Sequence, residues 1–361
     1  MYGSLGLSEI TGLTPAQAAV WLGAGLGLAF GVLAAITGFC LRRGIVAGPG
    51  ARNARGIWAM AFFAALIGTQ GAVALGWTGF AAHRFHAADL PLLAILLGGA
   101  LFGAGMVLTR GCPSRLLVLG ASGNLRALIV LLVFALVAQA TIQGVLAPLR
   151  TALTGLTVPV GAQASLGHWP GGTALWTALL AAGALALVWR AGARPRDLTL
   201  AALIGLLIPA GWVGTGLVLF DEFEPIAHDS LAFTAPAADT LFYAAAATAV
   251  PANFGVAVIA FAFLGAAAVA LIRREAAWAS FEGPAQTGRY GLGAALMGVG
   301  GVVAGGCTVG AGLSGTATLS LAALLALGAI VVGARVTDAL MRRDASATGA
   351  PSGTPRALPA Q

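Results

Sequence analysis

Three cysteines, Cys40, Cys112 and Cys307, are the only thiols in a chain of 361 residues. Each stands among glycines: TGFCLRRG at 37–44, LTRGCPSR at 108–115 and AGGCTVGAGLSG at 304–315. A thiol in such a turn can hydrogen-bond weakly to soft atoms, take up sulfur, or ligate a metal. The odd number rules out a complete disulfide framework, and neither C-x-x-C nor a Cys/His metal-site spacing occurs. Arg42 and Arg43 follow Cys40, while Arg110 and Arg115 bracket Cys112. Guanidinium groups there either line a path for an oxyanion or anchor helix ends among lipid headgroups. A free buried cysteine is equally an ordinary small hydrophobe, and glycines between membrane helices are ordinary packing residues. Gly310, Gly312 and Gly315 reproduce G-x-G-x-x-G, but a dinucleotide turn needs a strand before it and a βαβ unit around it. The apolar surroundings offer neither.

Composition sets that environment. The chain is 59% hydrophobic and 9% charged, with a mean hydropathy of +0.92. A soluble domain carries about 25% charged residues, so the fold expected is an all-α integral membrane protein with the lipid bilayer as its first partner. The net charge of +7 comes from 19 arginines, with no lysine, against 12 acids. That bias reports topology and headgroup contact, not nucleic acid. The acidic run DEFEPIAHD (221–229) and His83, His86 and His168 read as solvated outer loops. No serine–histidine–acid set or paired intramembrane carboxylates suggest hydrolysis or a carboxylate proton relay. The first fifteen residues lack the basic region of a signal peptide, and the apolar stretch from Pro15 is long enough to span.

About nine crossings fit, near 15–39, 57–79, 90–109, 124–147, 172–190, 198–220, 252–272, 290–305 and 316–335, with 235–250 as a half-helix. Trp58, Trp77 and Trp189 suit interfacial belts. With the N-terminus outside, 17 of the 19 arginines fall in cytoplasmic loops or the C-terminal region, and only Arg84 and Arg150 lie outside. The expected organisation is one transporter unit over 1–341, followed by a polar, Pro/Gly/Ser-rich, disordered cytoplasmic tail over 342–361.

The chain also echoes itself. LFGAGMVLTRGC (101–112) and LMGVGGVVAGGC (296–307) share leucine, three glycines, a valine and the final cysteine in register. A weaker echo sets GVLAAITGFC (31–40) beside GLLIPAGWVG (205–214), without a second cysteine. With nine spans the third and eighth helices run oppositely, so halves near 15–150 and 172–341 form an inverted internal repeat, an arrangement typical of transporters. The eighth span, counted from Tyr290 to Gly305, is about 24 Å long. It is expected to stop inside the bilayer, and the glycine break after it to expose amides beside Cys307.

Taken in order, TGFCLRRG (37–44), GAGMVLTRGCPSRLLVLGASGNLR (103–126), LAFTAPAA (231–238) and LMGVGGVVAGGCTVGAGLSG (296–315) resemble the YeeE/YedE membrane proteins over nearly the whole chain except the tail. GNLR after the second cysteine, with LAF-x-AP in the second half, resembles one branch of that family. The resemblance implies a bacterial inner-membrane transporter, not an enzyme, that takes up a sulfur compound without a cofactor, thiosulfate foremost. It implies that Cys40, Cys112 and Cys307 pass the anion along by S–H···S hydrogen bonds without a lasting covalent bond. A TusA-type sulfur-carrier protein would accept sulfur in the cytoplasm. Cys112 is expected at the centre of the path, with Cys40 and Cys307 on opposite approaches. Arg110, Arg115, Gly111, Gly305, Gly306, Thr308 and Gly310 complete the expected lining. Arg110 departs from the small residue often found at its place, which bears on substrate choice. The alternatives are a membrane thiol enzyme or redox sensor carrying persulfide on Cys112, a transporter of another sulfur or selenium species, and an assembly subunit whose cysteines merely pack.

Overall fold

The computed structural model describes residues 12–281 and 283–347, with side chains through Arg343. Helix α1 (Pro15–Thr37) starts from a reciprocal cap: Gln17 N–H donates to Thr14 Oγ1 at 3.3 Å, and Thr14 N–H to Gln17 Oε1 at 3.2 Å. It ends at Gly38, whose left-handed φ of 61° turns the chain through Phe39 and Cys40 into the short α2 (Leu41–Ile45). Then come α3 (Ala51–Ala74), strand β1 (Asp89–Leu90), α4 (Leu92–Leu108), α5 (Pro113–Ala121), α6 (Leu125–Ile142) and α7 (Ala147–Thr154). Strand β2 (Val158–Pro159) pairs antiparallel with β1, Asp89 opposite Pro159, and ties two interhelical loops together. The second half contains α8 (Gly172–Ala191), α9 (Pro195–Val213), α10 (Ala235–Ala246), α11 (Phe254–Ile272), α12 (Pro284–Val303) and α13 (Leu321–Ala347). The tail expected from Arg342 lies outside the described residues beyond Ala347.

Among the described residues, eight helices are long and apolar enough to cross a membrane. The expected span absent from these eight is the eighth, near 290–305; it corresponds to α12, which is helical but less apolar. It begins at Pro284 in the polar turn PAQTGR, so hydropathy registered only its second part. Its 20 residues reach about 30 Å, longer than the ~24 Å expected, but the added residues are polar and its apolar part still begins near Tyr290. The half-helix is present as the 12-residue α10. Trp77 and Trp189 are exposed as belt residues are, but Trp58 packs inward, with Gly312 at its ring edge and Phe62 stacked at 5.6 Å.

Glycines decide which helices touch. Lipid tails are as apolar as leucine, so membrane helices associate through close van der Waals fit rather than burial from water. A Cβ at Gly105 of α4 would strike the Gly293 carbonyl of α12, and one at Gly300 would lie 2.5 Å from the Gly98 carbonyl. The later residue of α4 therefore meets the earlier residue of α12, and the two helices pack antiparallel. Gly103 of α4 presses on Ile330 and Ala334 of α13, while Gly298 of α12 presses on Phe134 and Val137 of α6. Likewise Gly31 of α1 meets Ala262 of α11, and Gly205 of α9 meets Ala61 of α3. Phe30, Phe102, Phe134, Trp212 and Phe233 fill the centre, fully buried.

Candidate functional site

Every cysteine stands at the mouth of a turn. Cys40 and Cys112 occupy the residue before the first turn of α2 and α5 in extended conformation, with φ of −167° and −83°. Cys307 precedes a wide π-turn over Gly310–Gly315. In each case the amide three residues on approaches the thiol: Gly310 N–H donates to Cys307 Sγ at 3.3 Å, and those of Arg43 and Arg115 approach Cys40 and Cys112 more loosely. The cysteines thus stand where serine or threonine commonly caps a helix. Local sequence arranges this through Gly38 before Cys40, Pro113 after Cys112, and Gly305 before Cys307.

Tertiary packing then brings the thiols together. Cys112 Sγ lies 3.2 Å from Ser114 Oγ, within hydrogen-bonding reach of the Cys40 thiol, and beside the Thr308 hydroxyl. Cys307 is the residue before Thr308 and close enough to Cys112 to interact electrostatically. Cys112 is therefore in the middle. All three are free, with exposures of 2%, 2% and 1% for Cys40, Cys112 and Cys307.

The expected arginines divide. Arg115 lies beside Cys40 and Cys112, with Arg43 next to it. Arg110 has an exposed side chain and a left-handed φ of 62°, and its carbonyl accepts from Arg42 Nη1 at 3.5 Å. Gly305, the matching residue of the second echo, is also left-handed, at φ 80°, and its carbonyl accepts from Arg84 Nη1 at 3.2 Å. Both positions end a helix where glycine costs nothing and an L side chain costs about 1 kcal/mol. Arg110→Gly is accordingly expected to raise stability by about that amount, read as a higher melting temperature of the purified protein in detergent. An unchanged or lower melting temperature would mean that Arg110 makes contacts worth the strain.

Gly111 packs on Leu116, Gly306 on Ala311, and Gly310 on Ala232. The open glycine break expected after Cys307 is largely closed. Ala311 and Gly312 both donate to the Cys307 carbonyl, at 2.9 and 3.2 Å, and Leu313 and Ser314 both donate to that of Val309 at 2.9 Å. Wide turns allow small residues to keep their backbone hydrogen bonds inside the membrane, so the donor turned to sulfur is chiefly the Gly310 amide.

Several neighbours lay beyond sequence reading. The LAFTAP segment folds over Cys307: Phe233's amide approaches its sulfur, and Ser314 Oγ donates to the Leu231 carbonyl at 2.6 Å. Thr234, next in line, caps nothing; its Oγ1 is buried against Gly301 with no partner among the described residues. Outside this turn, Phe80 stacks on His228 and His86 at 5.3 and 6.2 Å, and Trp212 meets His83 and His228 at 5.1 and 5.0 Å. These histidines are half-buried rather than solvated. Burial, helped by Arg84, pushes His83 down to about 4, and burial lowers His86 and His228. The cluster unites three distant segments, so no local spacing signalled it.

A family model described as sulphur transport matches residues 30–336, a span containing all three cysteines and their turns. No curated protein matches the chain. A match over that much of the molecule, on a fold of apolar helices, is sufficient: the chain belongs to the YeeE/YedE sulphur transport family.

Proposed function

We propose that this protein carries thiosulfate, or a closely similar sulfur anion, into the cell through its three thiols. The observation that carries this reading is the place of Cys112, near enough to interact with Cys40 and with Thr308, the neighbour of Cys307. Thiosulfate has a hard sulfonate end, suited to amides, hydroxyls and guanidinium, and a soft terminal sulfur, suited to S–H donors. Gly310 N–H, Thr308, Ser114 and Arg115 offer the first kind of partner, and the thiols offer the second. Each S–H···S contact is weak, which favours release as much as entry. No bond need form or break, so the thiols act as stepping points and not as nucleophiles.

The inverted repeat belongs to the same proposal. If halves near 15–150 and 172–341 are related by a two-fold axis in the membrane plane, contacts must come in reciprocal pairs. Gly105 on Gly293 and Gly300 on Gly98 are such a pair, because Gly105 and Gly300 are separated by the same 195 positions as Gly98 and Gly293. The carbonyls of Arg110 and Gly305, 195 positions apart, are each taken by an arginine, but both donors, Arg42 and Arg84, lie in the first half, so that match is confined to the acceptors. Arginine distribution supports an inner-membrane setting with the N-terminus outside and the C-terminus cytoplasmic. Cys40 then lies toward the cytoplasm, where a TusA-type carrier is the proposed acceptor.

Uptake of labelled thiosulfate into proteoliposomes tests this reading. Thiosulfate is expected to accumulate, and sulfate, lacking a soft sulfur, neither to accumulate nor to compete. Sulfate uptake equal to that of thiosulfate would defeat the thiol path. Thr234→Val adds a second reading from the same assay: loss of an orphan buried hydroxyl gains about 1 kcal/mol of stability, yet uptake is expected to fall about ten-fold if that hydroxyl serves the anion.

A further inference from the structure

A second polar site lies apart from the thiols. A cavity of about 330 Å³ opens between the start of α1 (Ala16, Ala19), the segment 225–232, and the N-terminal ends of α10 and α11. Two helices of 12 and 19 residues begin at its wall, at Ala235–Pro236 and at Asn253–Gly255. Helix N-termini present amides and a positive field; no side chain caps α10, whereas Asn253 Oδ1 already accepts from Val256 N–H at 2.9 Å at the start of α11. Arg84 lines the same cavity, held by the Gly305 carbonyl at 3.2 Å and by the Phe85 ring at 4.8 Å. Neither aspartate of the cavity pairs with it among the described residues.

Those aspartates are the puzzle. Asp229 and Asp239 both line the cavity with Arg84, so with both ionised the side chains sum to one negative charge. That repels the anion which the end of α10 and Arg84 would attract. Asp229 has its backbone pinned to the end of α9, where its N–H donates to Thr215 Oγ1 at 3.2 Å and its carbonyl accepts at 2.8 Å. Its carboxyl faces Arg84 and Asp239, and Asn253 hydrogen-bonds Asp239. Helix α1 contributes only Ala16 and Ala19 to this wall. His228, the preceding residue, is engaged elsewhere, stacked on Phe80 and bonded to Thr78 at 3.2 Å. The cavity floor reaches the thiols: Ala232 lines it and touches Gly310, whose amide donates to Cys307.

We propose that this cavity is a proton-linked admission site for a divalent sulfur oxyanion, in which Arg84 and the uncapped N-terminal end of α10 receive the anion while Asp229 takes up one proton. The proton bound with the anion sits on the Asp229 carboxylate and leaves it when the anion moves on, so charge and atoms balance. Burial raises the Asp229 carboxyl above the ordinary carboxylate range, with Asp239 adding to the rise and Arg84 opposing it, which places the proton exchange nearer neutrality. The inference rests on the transport reading only for the identity of the anion.

The test uses the full-length Cys112→Ala protein, in which the thiol path is broken and the cavity intact. Labelled thiosulfate binding is measured by equilibrium dialysis from about pH 5 to pH 8, alongside proton uptake in weak buffer. The expected result is one proton taken up per anion, with affinity falling about ten-fold per pH unit above the pKa of the free site. Asp229→Asn is expected to bind with no proton uptake and no pH slope, and Arg84→Gln to bind about ten-fold more weakly throughout. If Asp229→Asn does not fold, Asp239→Asn replaces it and is expected to shift the slope to lower pH. Binding without proton uptake, an unchanged slope in the aspartate variant, or no thiosulfate binding at any pH overturns the proposal. Wild-type uptake without proton-linked binding defeats this inference alone, while proton-linked binding without wild-type uptake defeats the transport reading alone.

Discussion

Cys112→Ala is expected to cut thiosulfate uptake into proteoliposomes by about a hundred-fold or more, while the protein still folds. Cys112 is the thiol that interacts with both of the others, Cys40 and Cys307. Without it an anion must cross that gap with no sulfur donor, inside a core where water cannot substitute. An unmet hydrogen bond in such a place costs about 3 kcal/mol at the upper end, which is about a hundred-fold in rate. The small cavity left behind costs only about 1–2 kcal/mol of stability, so a melting curve separates loss of path from loss of fold. Cys112→Ser keeps a donor but hardens it, and is expected to fall between wild type and alanine for thiosulfate. If the alanine variant transports normally, the relay reading is wrong, and a structural role for the thiols takes its place.

The second large effect concerns glycine. Gly105→Ala and Gly300→Ala are each expected to cost about 2–3 kcal/mol, because each new methyl group strikes a backbone carbonyl of the opposite helix, which has no side-chain freedom to yield. Gly25→Ala is the control: its Cβ would meet nothing within 4 Å, and replacing a helical glycine there gains about 0.5–1 kcal/mol. Unfolding of the purified variants in detergent reads all three. Equal costs at Gly105 and Gly300 support the two-fold relation between α4 and α12. A large cost at one and none at the other would argue against it.

The helices were legible because apolar runs of bilayer length have few other solutions. The echo before Cys112 and Cys307 was legible as glycine spacing, and two of its glycines, Gly105 and Gly300, lie in the contact between α4 and α12. What hydropathy missed at Pro284 was a helix continuing past its apolar part: PAQTGR is polar, yet helical geometry does not stop where lipid does. Arg110 reads from sequence as a charge near a thiol. Its importance to the fold is a left-handed backbone, and its side chain points away from the thiols into exposure. Trp58 and Thr234 were hidden for a different reason, since the partners that bury them, Gly312 and Gly301, are hundreds or tens of positions away. The cavity beside Arg84 and Asp229 likewise draws on residues 16–19, 84, 225–239 and 251–255, and no spacing rule connects such distant stretches.

The phenylalanine packing around the thiols bears on the cell's energy economy. Phe30 sits 4.9 Å from Phe233 and 6.1 Å from Phe39, closing the centre beside the segments that hold Cys307 and Cys40. An energised membrane holds a voltage, and any standing file of water through a protein in it would act as a short circuit. On the proposed reading, weak sulfur contacts in a tightly filled interior let one polarisable anion slip by side-chain rearrangement while denying small hydrated ions a continuous wire. At rest, then, the protein is electrical insulation, and liposomes carrying it should hold an imposed potential as long as empty ones.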